Sequence, residues 1–442
     1  MRNCGSTLLV VSHSEPVNLV NQASRTNPSI KLFWLIAFMW GAYFLNYCDR
    51  QAIFAMFKVL KSDLGMTDQQ LGLTGAVFLW IYGLGCPLAG QLADRFSKRL
   101  MVVLSLAIWS LTTLATGLAG SPMVLLLLRA VMGISESLFM PAAIALTANA
   151  APVEKRSRAV SLLTTAQIAG TVTGAWFGGW MAELGHWRWA FFMLGGIGLA
   201  YSVPYFLFLK NVEENTEIQT GKTDSGLSVY ALVKVPTFCV LCFAFPVFVF
   251  GLWMLYSWMP SFLAEKFNLG PSEAAFNASI YMQVATLAGL FLGGILADRL
   301  FVVTKAARLW LLVVSLACCA PCLHLIGSSQ SLSATRLSLT GFGLFGGFLM
   351  GNIFPSAFEV VSADKRASAV GILNFFGSML SGFAPLVVGT WKKSIGIERM
   401  LTATSLVYLV ASMVLIFTIF KLFPRDWERM HSNPGLNETK QN

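Results

Sequence analysis

Few charged residues stand inside the apolar stretches of this 442-residue chain, among them Asp49, Arg50, Arg129, Glu136 and, nearer the end of its stretch, Glu359. A charge at the centre of a membrane-spanning helix costs about 2.5–3.5 kcal/mol on insertion scales, so its retention calls for a use. Arg129 and Glu136 are seven residues apart, two helical turns, which puts them on one face of one helix. A carboxylate at mid-membrane is penalised by desolvation until a proton, a cation or water reaches it, and that is the property a proton carrier needs. Asp49 and Glu136 are the candidates for that role. Asp49 and Arg129 fall at similar depth in their stretches and are expected to pair. The plainer account is a permanent ion pair that only fixes helix packing.

Tyr43, Asn46, Tyr47 and Arg50 recur at helical spacing as a polar strip, and two arginines in one cavity, Arg50 and Arg129, fit an anionic group on a solute. Gln167, Trp253, Tyr256, Gln283, Asn352 and Asn374 are scattered candidates for which helix packing or an interfacial aromatic belt is an equally good account. Phe248, Phe250, Trp253, Met254 and Trp258 would suit an amphiphile and would equally well face lipid. Histidine is set aside as the carrier: His13 and His431 are in the tails, and His186 and His324 fall at or near outer helix ends. The cysteines other than Cys4 lie in apolar stretches, where they act as small apolar residues, so Cys239-x-x-Cys242 and the group Cys318, Cys319, Cys322 with His324 are not read as metal sites. With no nucleophile–base pair, metal motif or phosphate loop, neither an enzyme nor a cofactor is expected, and the driving force is a gradient.

The elements that must position these residues are membrane helices. At 56% hydrophobic and 12% charged residues, the chain has the composition of a membrane protein. Its net charge of +10 carries no basic cluster interleaved with aromatics, so no nucleic-acid partner is expected. Twelve stretches are long enough to cross a bilayer core of roughly 30 Å: 32–57, 71–93, 100–118, 123–150, 159–181 and 189–209, then 236–263, 275–297, 309–326, 337–361, 369–391 and 401–423. They divide the chain into a tail 1–31, a six-helix half 32–210, a polar linker 211–234, a second half 235–423 and a tail 424–442. Of the 31 Lys and Arg residues, 21 fall on the side of the termini and eight on the other, so both termini are expected to be cytoplasmic.

The halves repeat one another. Gly90-Gln91-Leu92-Ala93-Asp94-Arg95 returns as Gly294-Ile295-Leu296-Ala297-Asp298-Arg299, 204 residues on. Pro141 matches Pro355 at 214, and Lys155-Arg156-Ser157-Arg158-Ala159 matches Lys365-Arg366-Ala367-Ser368-Ala369 at 210. The two glycines permit close helix contact, each aspartate is placed to cap a helix N-terminus, and Arg95, Lys98, Arg99 and Arg299 hold the turns at the headgroups. The expectation is a gating latch, Asp94 capping a helix near Ala369 and Asp298 one near Ala159.

With its Gly-x-x-x-Asp-Arg phrase after the second stretch, the sequence resembles the major facilitator superfamily over roughly 32–423. Asn46-Tyr47-Cys48-Asp49-Arg50-Gln51, Ala93-Asp94-Arg95-Phe96-Ser97-Lys98-Arg99, Trp109-Ser110-Leu111 and Arg129-x-x-x-Gly133-x-x-Glu136-x-x-x-x-Pro141 resemble most the spinster-like branch. The related anion:cation symporters share much of the pattern, usually with Gly where Ser97 stands. The resemblance implies an all-α protein of twelve transmembrane helices that carries a solute by alternating access. It also implies Asp49 and Glu136 as protonatable residues, Arg129 as partner or anion contact, and a lysophospholipid-like substrate. The expected function is a proton-coupled secondary transporter of an anionic, including amphiphilic, organic solute in the cell's inner membrane, with protons, membrane lipids and a small-molecule or lipid-like substrate as partners. The alternatives are a hexuronate or other carboxylate symporter and, with tails this short, less readily a nutrient sensor without net flux. Gly170-x-x-x-Gly174-Ala175-x-x-Gly178-Gly179 is close to an antiporter-associated phrase with Ala175 in place of its proline, which leaves the coupling direction open.

Overall fold

The computed structural model describes residues 28–150, 156–210, 232–362 and 365–431, with the side chains of 28–31, 90, 91, 93–95, 145, 148–150 and 156–161 outside that description. It is all helix among the described residues. The first set of long helices is α1 (Pro28–Ala52), α2 (Asp68–Arg95), α3 (Lys98–Gly117), α4 (Pro122–Ala150), α5 (Arg156–Glu183) and α6 (Trp187–Lys210). The second set is α7 (Pro236–Phe267), α8 (Pro271–Phe301), α9 (Ala307–Ser328), α10 (Leu332–Phe358), α11 (Arg366–Trp391) and α12 (Ile397–Lys421), and a short α13 (Phe423–His431) follows. α1 runs through a 3-10 turn, Ile53–Met56, into one more short helix, Phe57–Asp63.

Local chemistry sets the starts. Thr67 caps α2 by accepting from Gln70 N at 3.2 Å, while Gln70 Oε1 accepts from Thr67 N at 2.9 Å. Ser97 accepts from Leu100 N to open α3, and Pro236 and Pro271 occupy the first turns of α7 and α8, where a missing N–H costs nothing. Short links turn the chain back and forth across the bundle. Arg99, at the start of α3, donates to Leu209 O near the end of α6 at 3.4 Å. At the opposite side Trp187, opening α6, donates to Asp63 at 2.8 Å. The side where α1 starts and α12 ends is called the terminal side below, and the other the far side.

Ten of the twelve long helices are long and apolar enough to span a membrane. The expectation of twelve such stretches therefore meets two exceptions, α1 and α5. Both carry their polar residues inward: α1 holds Asn46, Asp49, Arg50 and Gln51, each at most 5% exposed, and α5 lies along it. Gly170, Gly174 and Gly178 set that contact, since a Cβ on them would fall 2.4 Å from Phe44 O, 2.5 Å from Cys48 Cα and 2.4 Å from Ala52 O. The glycine phrase thus has a packing use in full.

The sequence repeat is also a repeat of contacts. Tyr201 on α6 donates to Phe38 O of α1 at 3.1 Å, and Tyr408 on α12 donates to Phe248 O of α7 at 2.6 Å. Gly133 of α4 abuts Phe78 O of α2, as Gly343 of α10 abuts Met282 O of α8. The residue offsets are 207 and 210, then 210 and 204, the spacing of the sequence matches. The two sets meet on the far side. α2 packs on α11, with Gly72 against Pro385 O and Gly389 against Asp68 O, and Trp80 Nε1 donates to Met379 O at 3.1 Å. α5 meets α8 where Gly179 abuts Pro271.

The polar segment expected as the linker lies mostly outside the described residues, as does most of the first tail. Helix α1 begins four residues before the expected start of its stretch. α13 was not anticipated: Asp426 Oδ2 accepts from Thr237 N, capping α7 at 2.9 Å, while Trp427 packs on Phe423 and Phe301.

Candidate functional site

α1 and α4 bring the four charges of the first set together, all at most 5% exposed. The pairing differs from the expected one. Arg50, not Arg129, holds a carboxylate: its Nε donates to Glu136 Oε2 at 3.0 Å and its Nη2 donates to the same oxygen. Nη2 also reaches Asn46 Oδ1 at 3.4 Å. Three rings close over the guanidinium, Tyr47 at 4.7 Å, Phe78 at 4.8 Å and Tyr82 at 5.2 Å.

Arg129 does not form the expected ion pair with Asp49. Its Nε donates to Thr74 O at 3.2 Å, its Nη1 points at Met132 Sδ at 3.1 Å, and its Nη2 has no hydrogen-bond partner. The physical reason is rotation about α1. Asp49 and Arg50 are neighbours in sequence and so point about 100° apart on the helix. Arg50 takes the side of α4 and α2, which leaves Asp49 turned toward Thr113 of α3, within electrostatic range of Arg129 and Glu136 but bonded to neither. Phe78, fully buried, is a shared neighbour of the two guanidiniums, 4.8 Å from one and 5.0 Å from the other.

The remaining strip residues lie beside this cluster. Tyr43 donates to Gln167 Oε1 of α5 at 3.2 Å and meets Tyr47 edge to face at 5.1 Å. From the second set, Gln283 Nε2 donates to the Tyr256 hydroxyl at 3.0 Å, and Tyr256 lies within electrostatic range of Tyr47 and Arg50. Trp253 bridges to Phe54 of the first set at 6.2 Å. Asn352 is turned onto its own helix, donating to Phe348 O. Phe248, Trp253, Met254 and Trp258 are buried, so they do not face lipid. The second set brings no charge to the centre, since the positions 210 residues after Asp49, Arg50, Arg129 and Glu136 are Met259, Pro260, Leu339 and Gly346.

Phe78, Tyr82, Thr74 and Thr113 were missed in the sequence. The signal available for the first two was an aromatic pair four residues apart, facing one way on a helix. It says nothing by itself about which cation it meets.

The turn residues divide. The side chains of Gly90, Asp94 and Arg95, and of Ala159, lie outside the described residues, so the Asp94 cap is not visible. Lys98 and Arg99 open α3, Arg99 reaching Leu209 O. In this structure the second turn is engaged within its own set. Asp298 Oδ1 sits 3.5 Å from Arg308 of its own set, and Arg308 is shared with Glu359 at 2.6 Å. Arg308 begins α9 a short loop away, which gives Asp298 a nearer cation than a helix end in the other set. Gly294 has open space around it, so it makes no close helix contact, and Arg299 is exposed. Burial pushes the Glu359 carboxyl up from its ordinary range, opposed by the Arg308 N–H bond and charge.

A lock that the sequence did not show closes the far side. Asp68, 6% exposed at the head of α2, has Lys61 Nζ at 2.8 Å from its own set and Lys392 and Lys393, just past the end of α11, each at 3.6 Å. Lys392 also lies 3.4 Å from Glu265 and 4.8 Å above the Trp258 ring.

Residues 39–385 match the family model described as Major Facilitator Superfamily. The chain belongs to that superfamily and is an integral, multi-pass membrane protein. It is 31% identical to a probable sulfoacetate transporter of Cupriavidus necator, over 60% of this chain and 65% of that protein. It is 24% identical to a probable L-galactonate transporter of Escherichia coli, over 85% of each, and 24% identical to a hexuronate transporter of Bacillus subtilis, over 80% of this chain and 86% of the other. In fold it is similar to a bacterial homologue of the human lysosomal transporter Spinster in an inward-facing, occupied conformation, with a TM-score of 0.78, 21% identity, and 91% and 99% of the two chains covered.

Proposed function

We propose that this protein is a proton-coupled secondary transporter of a small organic anion, a sulfonate or sugar-acid carboxylate. Alternating access carries the anion across twelve membrane helices, α1 and α5 included. The observation that carries the reading is the buried Arg50–Glu136 pair. While Glu136 is ionised it occupies Arg50; when Glu136 takes a proton its charge is lost and Arg50 is freed for the carboxylate or sulfonate of a solute. The solute anion and the Glu136 charge then compete for one cation, and that competition couples their movements. Tyr47, Tyr43 with Gln167, and Tyr256 with Gln283 supply neutral donors and acceptors for the hydroxyls of such a solute. The compact, polar character of that lining and the names of the relatives favour a small anion over the lysophospholipid-like substrate.

The far-side lock and the excess of Lys and Arg on the terminal side support an inward-open state with cytoplasmic termini, the duplicated turns closing only in the opposite state. Glu136→Gln should abolish accumulation driven by a pH gradient in proteoliposomes, while exchange of labelled against unlabelled solute continues. Undiminished accumulation in that variant would remove Glu136 from the mechanism.

A further inference from the structure

On the far side, rings from the two sets meet. Phe57, in the short helix that continues α1, touches Trp258 of α7 edge to face at 4.8 Å, and Phe54, one turn earlier, touches Trp253 at 6.2 Å. Phe54 and Phe57 also meet each other at 5.7 Å, and all four rings are buried. A cation stands at each end of this plug. Arg129 lies 5.9 Å from the Phe54 ring at the inner end, and Lys392 Nζ lies 4.8 Å from the Trp258 ring at the outer end. Trp258 is fixed within the second set, its Nε1 donating to Pro385 O at 2.9 Å. Lys392 is therefore held at the outer end of the ring contacts that lead to the central arginines, with its side chain only 14% exposed.

The lock shows what this mouth accepts. Asp68 offers one carboxylate oxygen to each lysine of the second set, Oδ1 to Lys392 and Oδ2 to Lys393, both at 3.6 Å. These are ion-pair contacts longer than hydrogen bonds, whereas Lys61, of the same set as Asp68, is bonded to it at 2.8 Å. When the sets part on the far side, Asp68 leaves with Lys61, and the other two lysines lose it. Glu265 stays near Lys392 at 3.4 Å, but it is exposed and its pull is screened by water and salt. Lys393 has no other acid in contact among the described residues. Opening thus uncovers two ammonium groups, already spaced for the two oxygens of one carboxylate, at the outer end of the plug.

We propose that Lys392 and Lys393 form a far-side docking site for the carboxylate or sulfonate of the transported solute, which takes the place that Asp68 holds while this side is closed. This rests on reading the solute as a small organic anion. Asp68 and the solute then compete for the same two cations, so the solute favours the open mouth to the extent that it binds the pair only there. The same movement parts Trp258 from Phe57 and clears the way inward. Lysine suits the outer position and arginine the inner one. Two ammonium groups attract an anion as point charges without fixing its orientation, whereas the guanidiniums of Arg129 and Arg50 offer a planar, bidentate fork.

Initial rates of uptake of labelled sulfoacetate, galactonate and a hexuronate, in membrane vesicles with the far side outward, test this. Lys392→Gln/Lys393→Gln should raise KM about tenfold at low ionic strength, the steering lost with two cations. The difference should shrink as salt is added, because charges at an open mouth are screened. Asp68→Asn loosens the same lock but keeps both lysines, so its KM should stay at or below the wild-type value. Lys392→Arg/Lys393→Arg should restore the wild-type KM. Lys393→Gln alone, at an exposed position, carries the test if the double variant folds poorly, with the smaller rise of one lost cation. A lysine variant whose KM matches that of Asp68→Asn would reduce the pair to a lock and leave the small-anion reading standing. Wild-type vesicles that take up none of the three anions would overturn both readings.

Discussion

Arg50 has one carboxylate partner and three aromatic faces, and it is 5% exposed. In such a setting removing one member of an ion pair is worse than removing both, because the survivor remains charged and unsolvated, at a typical cost of about 3–5 kcal/mol. Arg50→Ala should therefore destabilise the protein more than the double variant Arg50→Ala/Glu136→Gln, read as thermal unfolding in detergent. Additive losses would argue that the pair is not one unit. The four charges could be found in the sequence because charges inside apolar stretches are rare. Their partners could not. Asp49 and Arg50 are adjacent, so a small rotation of α1 decides which of them meets α4, and no spacing rule fixes that rotation. Phe78 and Thr113 were hidden for the opposite reason, since phenylalanine and threonine are common in membrane helices and mark nothing by their presence.

At the scale of elements, the terminal end of the second set is tied by Arg308, which joins the loop after α8 to the end of α10 through Asp298 and Glu359. Glu359 is held above the ordinary carboxylate range by burial and drawn back by Arg308. Arg308→Ala removes the larger part of what opposes burial, so ionising Glu359 in the folded protein becomes costlier still. The destabilisation should be full at neutral and alkaline pH, where the unfolded carboxylate is charged. It should shrink as pH falls into the carboxylate range, where Glu359 is protonated in both states. Equal destabilisation at acidic and neutral pH would assign the effect to lost packing of the arginine stem. The helices themselves were legible to within a few residues, because apolar stretches of membrane length have few alternative readings. α1 and α5 are the instructive pair, since the polar residues that lower their apolar character are those turned toward the site. α13 was not legible: its polar sequence looks like a tail until Asp426 is seen capping α7.

For the whole molecule, two contact-related sets of helices with central charge in only one of them define a carrier whose chemistry sits off its symmetry axis. The far side is held by Asp68 among Lys61, Lys392 and Lys393. This lock was invisible in the sequence because its residues sit in polar connections, where charge is ordinary. Asp68→Asn removes the anion and leaves the lysines repelling one another, so the far-side-open population should rise. A shift of about 1.4 kcal/mol would be tenfold in that ratio. Labelling of a cysteine placed near Gly72, in a background without the native cysteines, reads it. Unchanged labelling would mean that the helix contacts alone close this side.

The most direct measurement of the central claim is solute accumulation by the wild-type protein in proteoliposomes with an imposed pH gradient, using labelled sulfoacetate, galactonate, a hexuronate and a lysophospholipid in parallel. The account predicts uphill accumulation of at least one of the small anions, abolished when the pH gradient is collapsed and when Glu136 is replaced by Gln. Accumulation of any of them that is indifferent to the pH gradient, or movement of the lysophospholipid alone, would contradict it.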